Sequence, residues 1–294
     1  MDNFAGSVAI VTGAASGIGL ALARAAQARG CALVMADIRP NALEAAAASL
    51  AIGGNVLAVP TDVADADAVE ALAQAAIDRF GKVNLLFNNA GVYAAKLAWE
   101  MSRAEYDWVI DVNQRSVVNG IRSCVPRMIA QGDPCHVVTV SSGAGIIVNP
   151  GTCAYAMTKH AVLALSEALY LDLAVEGVTN IGVTVAMPGF TQSDIMNPAK
   201  ARPGAVAKDD SRSRAVAAFE AYMQGGVAAG LSAEALAEEV FGAIVRGDLH
   251  VLPAFTDEAS QGMAQAIAQG RISARNPYPP IVDNLNSLLR STAE

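Results

Sequence analysis

Tyr155 and Lys159 stand four residues apart in a stretch of helical period, so their side chains share one face. A free phenol with a pKa of about 10 is a poor base near neutral pH. A neighbouring ammonium favours the phenolate and brings it into range for proton transfer. Ser142 lies thirteen residues before Tyr155, at the end of an apolar run, where its hydroxyl can hydrogen-bond a substrate oxygen. Singly, each has a plain structural explanation: an exposed helix lysine, a core tyrosine, a strand-end serine. Together they point to proton transfer at a hydroxyl or carbonyl.

A second group of residues suits a phosphate-bearing ligand. Thr12-Gly-Ala-Ala-Ser-Gly-Ile-Gly19 falls between a Val/Ile run and an alanine-rich helical pattern. Glycines at 13, 17 and 19 permit a tight turn, and the N–H groups of the following helix can face a diphosphate. A glycine trio is a weak signal alone, since methyltransferases also use one, but this position between strand and helix strengthens it. Asp37 ends the next apolar run, twenty residues after Gly17. Its carboxylate can accept from both ribose hydroxyls and would repel a 2′-phosphate, so the expected cofactor is NAD, with NADP disfavoured. Arg39 is the exception in that neighbourhood, because a guanidinium can hold such a phosphate. Asp62 can bond an adenine amino group or cap a helix.

These residues need a scaffold. Apolar runs at 7–12, 32–36, 55–59, 83–87, 136–141 and 180–186 read as strands buried on both faces. Helical patterns at 17–30, 41–52, 65–80, about 102–130 and 153–176 separate them. Such alternation predicts an α/β fold, a doubly wound parallel sheet of about seven strands with helices on both faces. After residue 190 the rhythm breaks. Residues 194–230 carry loop signals and an amphipathic stretch around Phe219, Tyr222 and Met223. A helix at 232–246, a last strand at 249–253 and a tail from 256 complete the chain. The reading is one catalytic domain over 1–294, with a helical lid at 194–230 and a C-terminal extension at 256–294.

Composition narrows the classes of function. The 294 residues are 53% hydrophobic and 16% charged, which excludes a disordered chain. A formal net charge of -8 argues against nucleic acid and anionic lipid as partners. Four cysteines without a CxxC pair suggest neither a metal site nor a disulfide framework, so no metal is expected. With no basic leader and no continuous membrane span, a cytoplasmic location is expected.

The segments TGAASGIG (12–19), Asp37, Asn88-Asn-Ala-Gly91, Asn113, Ser142, YAMTK (155–159) and Pro188-Gly189 occur in the order and spacing of one family. Over roughly residues 7–190 the chain resembles the short-chain dehydrogenase/reductase (SDR) family. The resemblance implies a Rossmann-type fold and an NAD(P)-dependent oxidoreductase acting on CH–OH donors. It implies Tyr155 as general acid/base and Lys159 as the group that lowers its pKa and binds the nicotinamide ribose. Ser142 would orient the carbonyl or alcohol, and Asn113 would support a water-based proton relay. Cofactor contacts would come from Gly13, Ser16, Gly17, Ile18 and Gly19, and from Ile38 and Val63 beside Asp37 and Asp62. Asn89, Ala90 and Gly91 would flank the adenosine, and Pro188-Gly189 would present backbone to the carboxamide. Where the family carries Thr in a Pro-Gly-x-x-x-Thr arrangement this chain has Ser193, with Thr191 two positions earlier, so either hydroxyl can serve. Helices at 102–130 and 153–176 commonly pair between subunits in the family, so a homodimer is expected. The Asp-Gly-Gly ending that helps form a tetramer is missing.

A mostly apolar pocket is expected from Tyr93, Ala144, Ile146, Ile147, Cys153 and Phe190, together with the segment after Ser193. It suits a bulky hydrophobic or aromatic secondary alcohol and its ketone as the small-molecule partner. Phe219, Tyr222 and Met223 are expected to pack the lid on its own domain. The charges at 199–214 read as a solvated loop. Two other readings compete: a non-catalytic NAD(H)-sensing protein of the same fold, and an NADPH-dependent ketoreductase.

Overall fold

Val, Ile, Leu and Ala fill the strands, and every strand pair in the sheet is parallel. The structure is a computed structural model that describes residues 1, 3–50, 54–197, 213–280, 282–283 and 286–287. In chain order it runs β1 (Val8–Thr12), α1 (Gly17–Ala28), β2 (Ala32–Asp37), α2 (Pro40–Leu50), β3 (Val56–Pro60), α3 (Ala66–Phe80) and β4 (Leu85–Asn88). Then come α4 (Arg103–Ile110), a π-wound segment (Asp111–Arg115), α5 (Ser116–Gln131), β5 (Cys135–Val140), α6 (Cys153–Val175) and β6 (Ile181–Ala186). The chain continues through α7 (Arg214–Ala229), α8 (Ala233–Arg246), β7 (His250–Val251) and α9 (Glu258–Ile272).

Among the described residues these strands form one seven-stranded sheet of order β3-β2-β1-β4-β5-β6-β7. Side chains alternate across it. Ala9, Val11, Leu33, Met35 and Phe87 face α1, α2 and α8, whereas Ile10, Val34, Leu86 and Val137 face α3, α5 and α6. The chain reverses direction of travel between β1 and β4, and the carboxyl ends of those strands flank the crevice where such folds bind ligands.

Three expectations need correction. Strand β3 is not buried on both faces: it is an edge strand, partly exposed throughout, and ends at Pro60. The last strand shrinks from 249–253 to the two residues of β7. The single helix expected over 102–130 is also interrupted. Its cause is visible at Asn113, inside the π-wound segment. The Asn113 amide accepts from Val92 N at 2.7 Å and donates to Val92 O at 2.9 Å and Thr158 Oγ1 at 3.3 Å. One extra residue in the turn lets that amide reach the β4 loop, an irregularity that apolar periodicity does not register.

Of the expected lid, residues 198–212 lie outside the described residues, and with them most of the charges at 199–214. The rest forms α7, started by a Ser213 hydroxyl that accepts from Val216 N. Much of the tail beyond residue 280 also lies outside the description; its described helix is α9, capped by Asp257.

Candidate active site

Helix α1 begins directly under the end of β1, and three local features suit its first turn to an anion. Gly13 (φ +66°) and Gly17 (φ +53°) use backbone conformations that side chains rarely adopt, and a methyl at 13 would lie 3.0 Å from Ala90 Cα. A methyl at Gly19 would overlap the Gly13 carbonyl, so the helix packs against the turn only without one. Ser16 makes no side-chain cap to the helix; its hydroxyl instead accepts from Arg39 Nη2 at 3.0 Å. The first-turn N–H groups are therefore left for an anion rather than for a serine.

The turn opens on a cleft of about 1110 Å3. Its lining includes every residue expected to touch a cofactor: Gly13, Ser16, Gly17, Ile18, Gly19, Asp37, Ile38, Asp62, Val63, Asn89, Ala90, Gly91, Tyr155, Lys159, Pro188, Gly189, Thr191 and Ser193. Thr12 ties two strand ends together, its hydroxyl donating to Phe87 O and accepting from Asn89 N and Ala90 N. Asp62 closes a short turn by accepting from Ala64 N, and the cap of α3 falls to Asp65 instead. The size and donor pattern fit an extended phosphate-bearing molecule with room for a second, smaller ligand.

Asp37 is buried and more committed than its spacing suggests. Its Oδ1 accepts from Arg39 N at 3.0 Å and Arg39 Nε at 2.9 Å. Its Oδ2 accepts from Ala15 N at 3.2 Å and Arg39 Nη2 at 3.1 Å. A carboxylate offers about four lone-pair sites, so all are taken. The same pairing raises the Arg39 pKa, chiefly through the hydrogen bond to Asp37.

At the other end of the cleft, Ser142, Tyr155 and Lys159 converge. Ser142 follows β5, its hydroxyl accepting from Ala144 N at 3.1 Å. Lys159 is buried one helical turn beyond Tyr155, and its Nζ donates to Val140 O at 2.8 Å and stands 5.6 Å from the centre of the Tyr155 ring. Burial lowers its pKa to about 8. Burial also pushes the Tyr155 phenol up, and a hydrogen bond with Ser142 pulls it part of the way back. Of these two effects on the phenol, desolvation is the larger. Tyr93 packs edge-on against Tyr155, with ring centres 5.3 Å apart.

Asn113 does not line the cleft: its side chain is spent on Val92 and Thr158. Cys153 and Ile146 are also outside the lining. Cys153 is two residues from Tyr155 on α6, about 200° round the helix, and its sulfur accepts from the Tyr106 hydroxyl at 3.3 Å. Tyr93, Ala144, Ile147 and Phe190 do face the cleft. So do Phe219, Tyr222 and Met223 of α7, which corrects the expectation that they only pack the lid. Ile195 and Met196, in the expected segment after Ser193, join the same wall, and sequence reasoning missed Phe255 and Met263 there. The helical spacing of Phe219, Tyr222 and Met223 was the one usable signal; nothing in the local sequence flags Phe255 or Met263.

Fold, glycine turn and Ser-Tyr-Lys cluster define a dinucleotide-binding oxidoreductase class, and the family profile described as short chain dehydrogenase matches residues 7–204. The chain belongs to the short-chain dehydrogenase family. It is 40% identical over 202 residues to the 1-deoxy-11-beta-hydroxypentalenate dehydrogenase of Streptomyces arenae, covering 67% of this chain and 71% of that one. It is 33% identical over 261 residues to the C alpha-dehydrogenase of a Sphingobium species, covering 86% and 82%. The solved structure of a short chain dehydrogenase/reductase from Burkholderia phymatum in complex with NAD superposes with a TM-score of 0.89 at 36% identity, covering 94% of this chain and 98% of that one.

Proposed function

We propose that this oxidoreductase interconverts a bulky, hydrophobic or aromatic secondary alcohol and its ketone, with NAD as cofactor. The observation that carries the reading is the meeting of Ser142, Tyr155 and Lys159 in one cleft with the uncapped glycine turn. When bound, the nicotinamide accepts or supplies the hydride. Ser142 holds the substrate oxygen, and Tyr155 takes the hydroxyl proton in oxidation and returns it in reduction. Lys159 supports the charged form of that phenol and is anchored by Val140 O. Asn113 acts by holding the loop after β4 in place, through Val92. The acidic Asp37 supports NAD over NADP, as does the NAD in the Burkholderia phymatum structure.

The substrate class rests on the aromatic and sulfur-bearing wall: Phe190, Phe219, Tyr222, Phe255, Met196, Met223 and Met263. A panel of secondary alcohols assayed with NAD for the rise in NADH absorbance tests the reading. Aryl carbinols are expected to exceed short aliphatic alcohols in kcat/KM by about tenfold or more. Equal rates across the panel would defeat the substrate assignment, and no turnover with any alcohol would defeat the reaction.

The chain is also read as a homodimer formed through α5 and α6. Met157, Leu171 and Val175 lie on one exposed face of α6, and Val118 and Ile129 are exposed on α5. Sedimentation is expected to give twice the chain mass, and Leu171→Asp with Val175→Asp to give the single chain. A wild-type monomer at micromolar concentration would refute this.

A further inference from the structure

We propose that Gly226 of α7 sets the width of the substrate cleft by giving the ring of Phe190 a seat against the helix backbone, an inference that rests on the dehydrogenase reading. A methyl at position 226 would lie 2.6–2.7 Å from three carbons of that ring. Ordinary carbon contacts are about 3.5–4.0 Å, so any side chain there displaces the ring by about 1 Å. The Phe190 backbone cannot absorb the movement. Its carbonyl accepts from Leu231 N at 2.9 Å, the adjacent Thr191 pairs with Leu231, and a methyl at Gly230 would overlap that same carbonyl. The side chain must therefore turn. Tyr222 stands edge-on to the ring with centres 5.6 Å apart, and the remaining free side is the cleft, which Phe190 lines.

The opposite end of α7 is fixed as well. Val216 fills the notch over Gly151, whose φ of +76° and contact at 3.2 Å exclude a side chain. With both ends seated, α7 stays where it is and the ring of Phe190 becomes the adjustable part. Gly226 itself touches no substrate; it is a positioning residue that acts through Phe190 and so determines how large a substituent fits beside Ser142 and Tyr155.

The test is Gly226→Ala, assayed with 1-(2-naphthyl)ethanol and 2-butanol. Alanine is the better helix former, so α7 is expected to persist. The expected result is a fall of about tenfold or more in kcat/KM for the naphthyl alcohol, carried by KM, with 2-butanol changed by less than about twofold. Adding Phe190→Ala to that variant should restore the naphthyl alcohol. An unchanged ratio between the two alcohols, or an equal loss on both, overturns the proposal. If Gly226→Ala does not fold, Phe190→Ala alone decides: the ratio must rise in favour of the naphthyl alcohol, and a constant ratio refutes the idea. Calorimetric binding of the naphthyl ketone to the NADH-loaded enzyme makes the same comparison without turnover. Absence of turnover in the wild type would then sink the dehydrogenase reading, while ketone binding still decides the role of Gly226.

Discussion

Tyr155→Phe is expected to retain NADH binding while turnover falls by about 10²- to 10⁴-fold, the usual contribution of a positioned acid or base. The substitution removes one oxygen and its hydrogen bond with Ser142, and it leaves the ring contact with Tyr93 intact. The sign of the pH dependence follows from the same pair. Alcohol oxidation needs a group that can accept a proton, and both Tyr155 and Lys159 hold theirs at low pH. Burial moves Lys159 down to about 8 and Tyr155 up. Oxidation should therefore accelerate as pH rises through about 8, whereas ketone reduction, which consumes the proton, should slow over that range. The variant should lose this opposition between directions. Turnover within about tenfold of wild type, with the pH profile preserved, would remove Tyr155 from the chemistry.

The second large effect concerns Asp37 and Arg39. In this structure the guanidinium occupies the carboxylate that would grip a ribose diol, so NAD binding has to draw Arg39 aside. Asp37→Ser removes the charge that repels a 2′-phosphate and releases a guanidinium that attracts one. Like-charge juxtaposition costs several kcal/mol, and about 1.4 kcal/mol is tenfold, so the NADP-to-NAD ratio of kcat/KM should rise by about 10²- to 10³-fold. Arg39→Leu should act oppositely, tightening NADH and weakening NADPH. Steady-state kinetics with both cofactors reads the ratio directly. If Asp37→Ser depresses both cofactors equally, the carboxylate serves the turn, through Ala15 N, and not the choice of nucleotide.

The outcome of reading the sequence differs between elements for physical reasons. Buried parallel strands need continuous apolar residues, so six strands and their helices stood out, with ends displaced by one or two residues. The interruption at Asn113 was invisible because one additional residue in a helix leaves its apolar pattern almost unchanged. In the site, the glycine turn and the Ser142, Tyr155 and Lys159 group, which line one cleft, were legible because particular residue types stand there at short spacing. Cys153 was misplaced because proximity in sequence says nothing of direction on a helix. The far wall was illegible for another reason: Phe255 and Met263 reach the cleft only through the path of the chain after β7. The Asp37–Arg39 pairing fell between these cases, its residues visible and their mutual engagement not.

The two margins of the sheet offer very little backbone for another chain to pair with. Pro60 closes β3 with a residue that has no N–H to donate, and β7 presents only two residues. Ribbon-like stacking of molecules through their strands is thereby disfavoured, which protects a chain this rich in Val, Ile and Ala from fibrous aggregation while its concentration is high. Any attempt to raise its stability by lengthening β7 or replacing Pro60 would strip away that protection, and loss of solubility on storage would be the first sign.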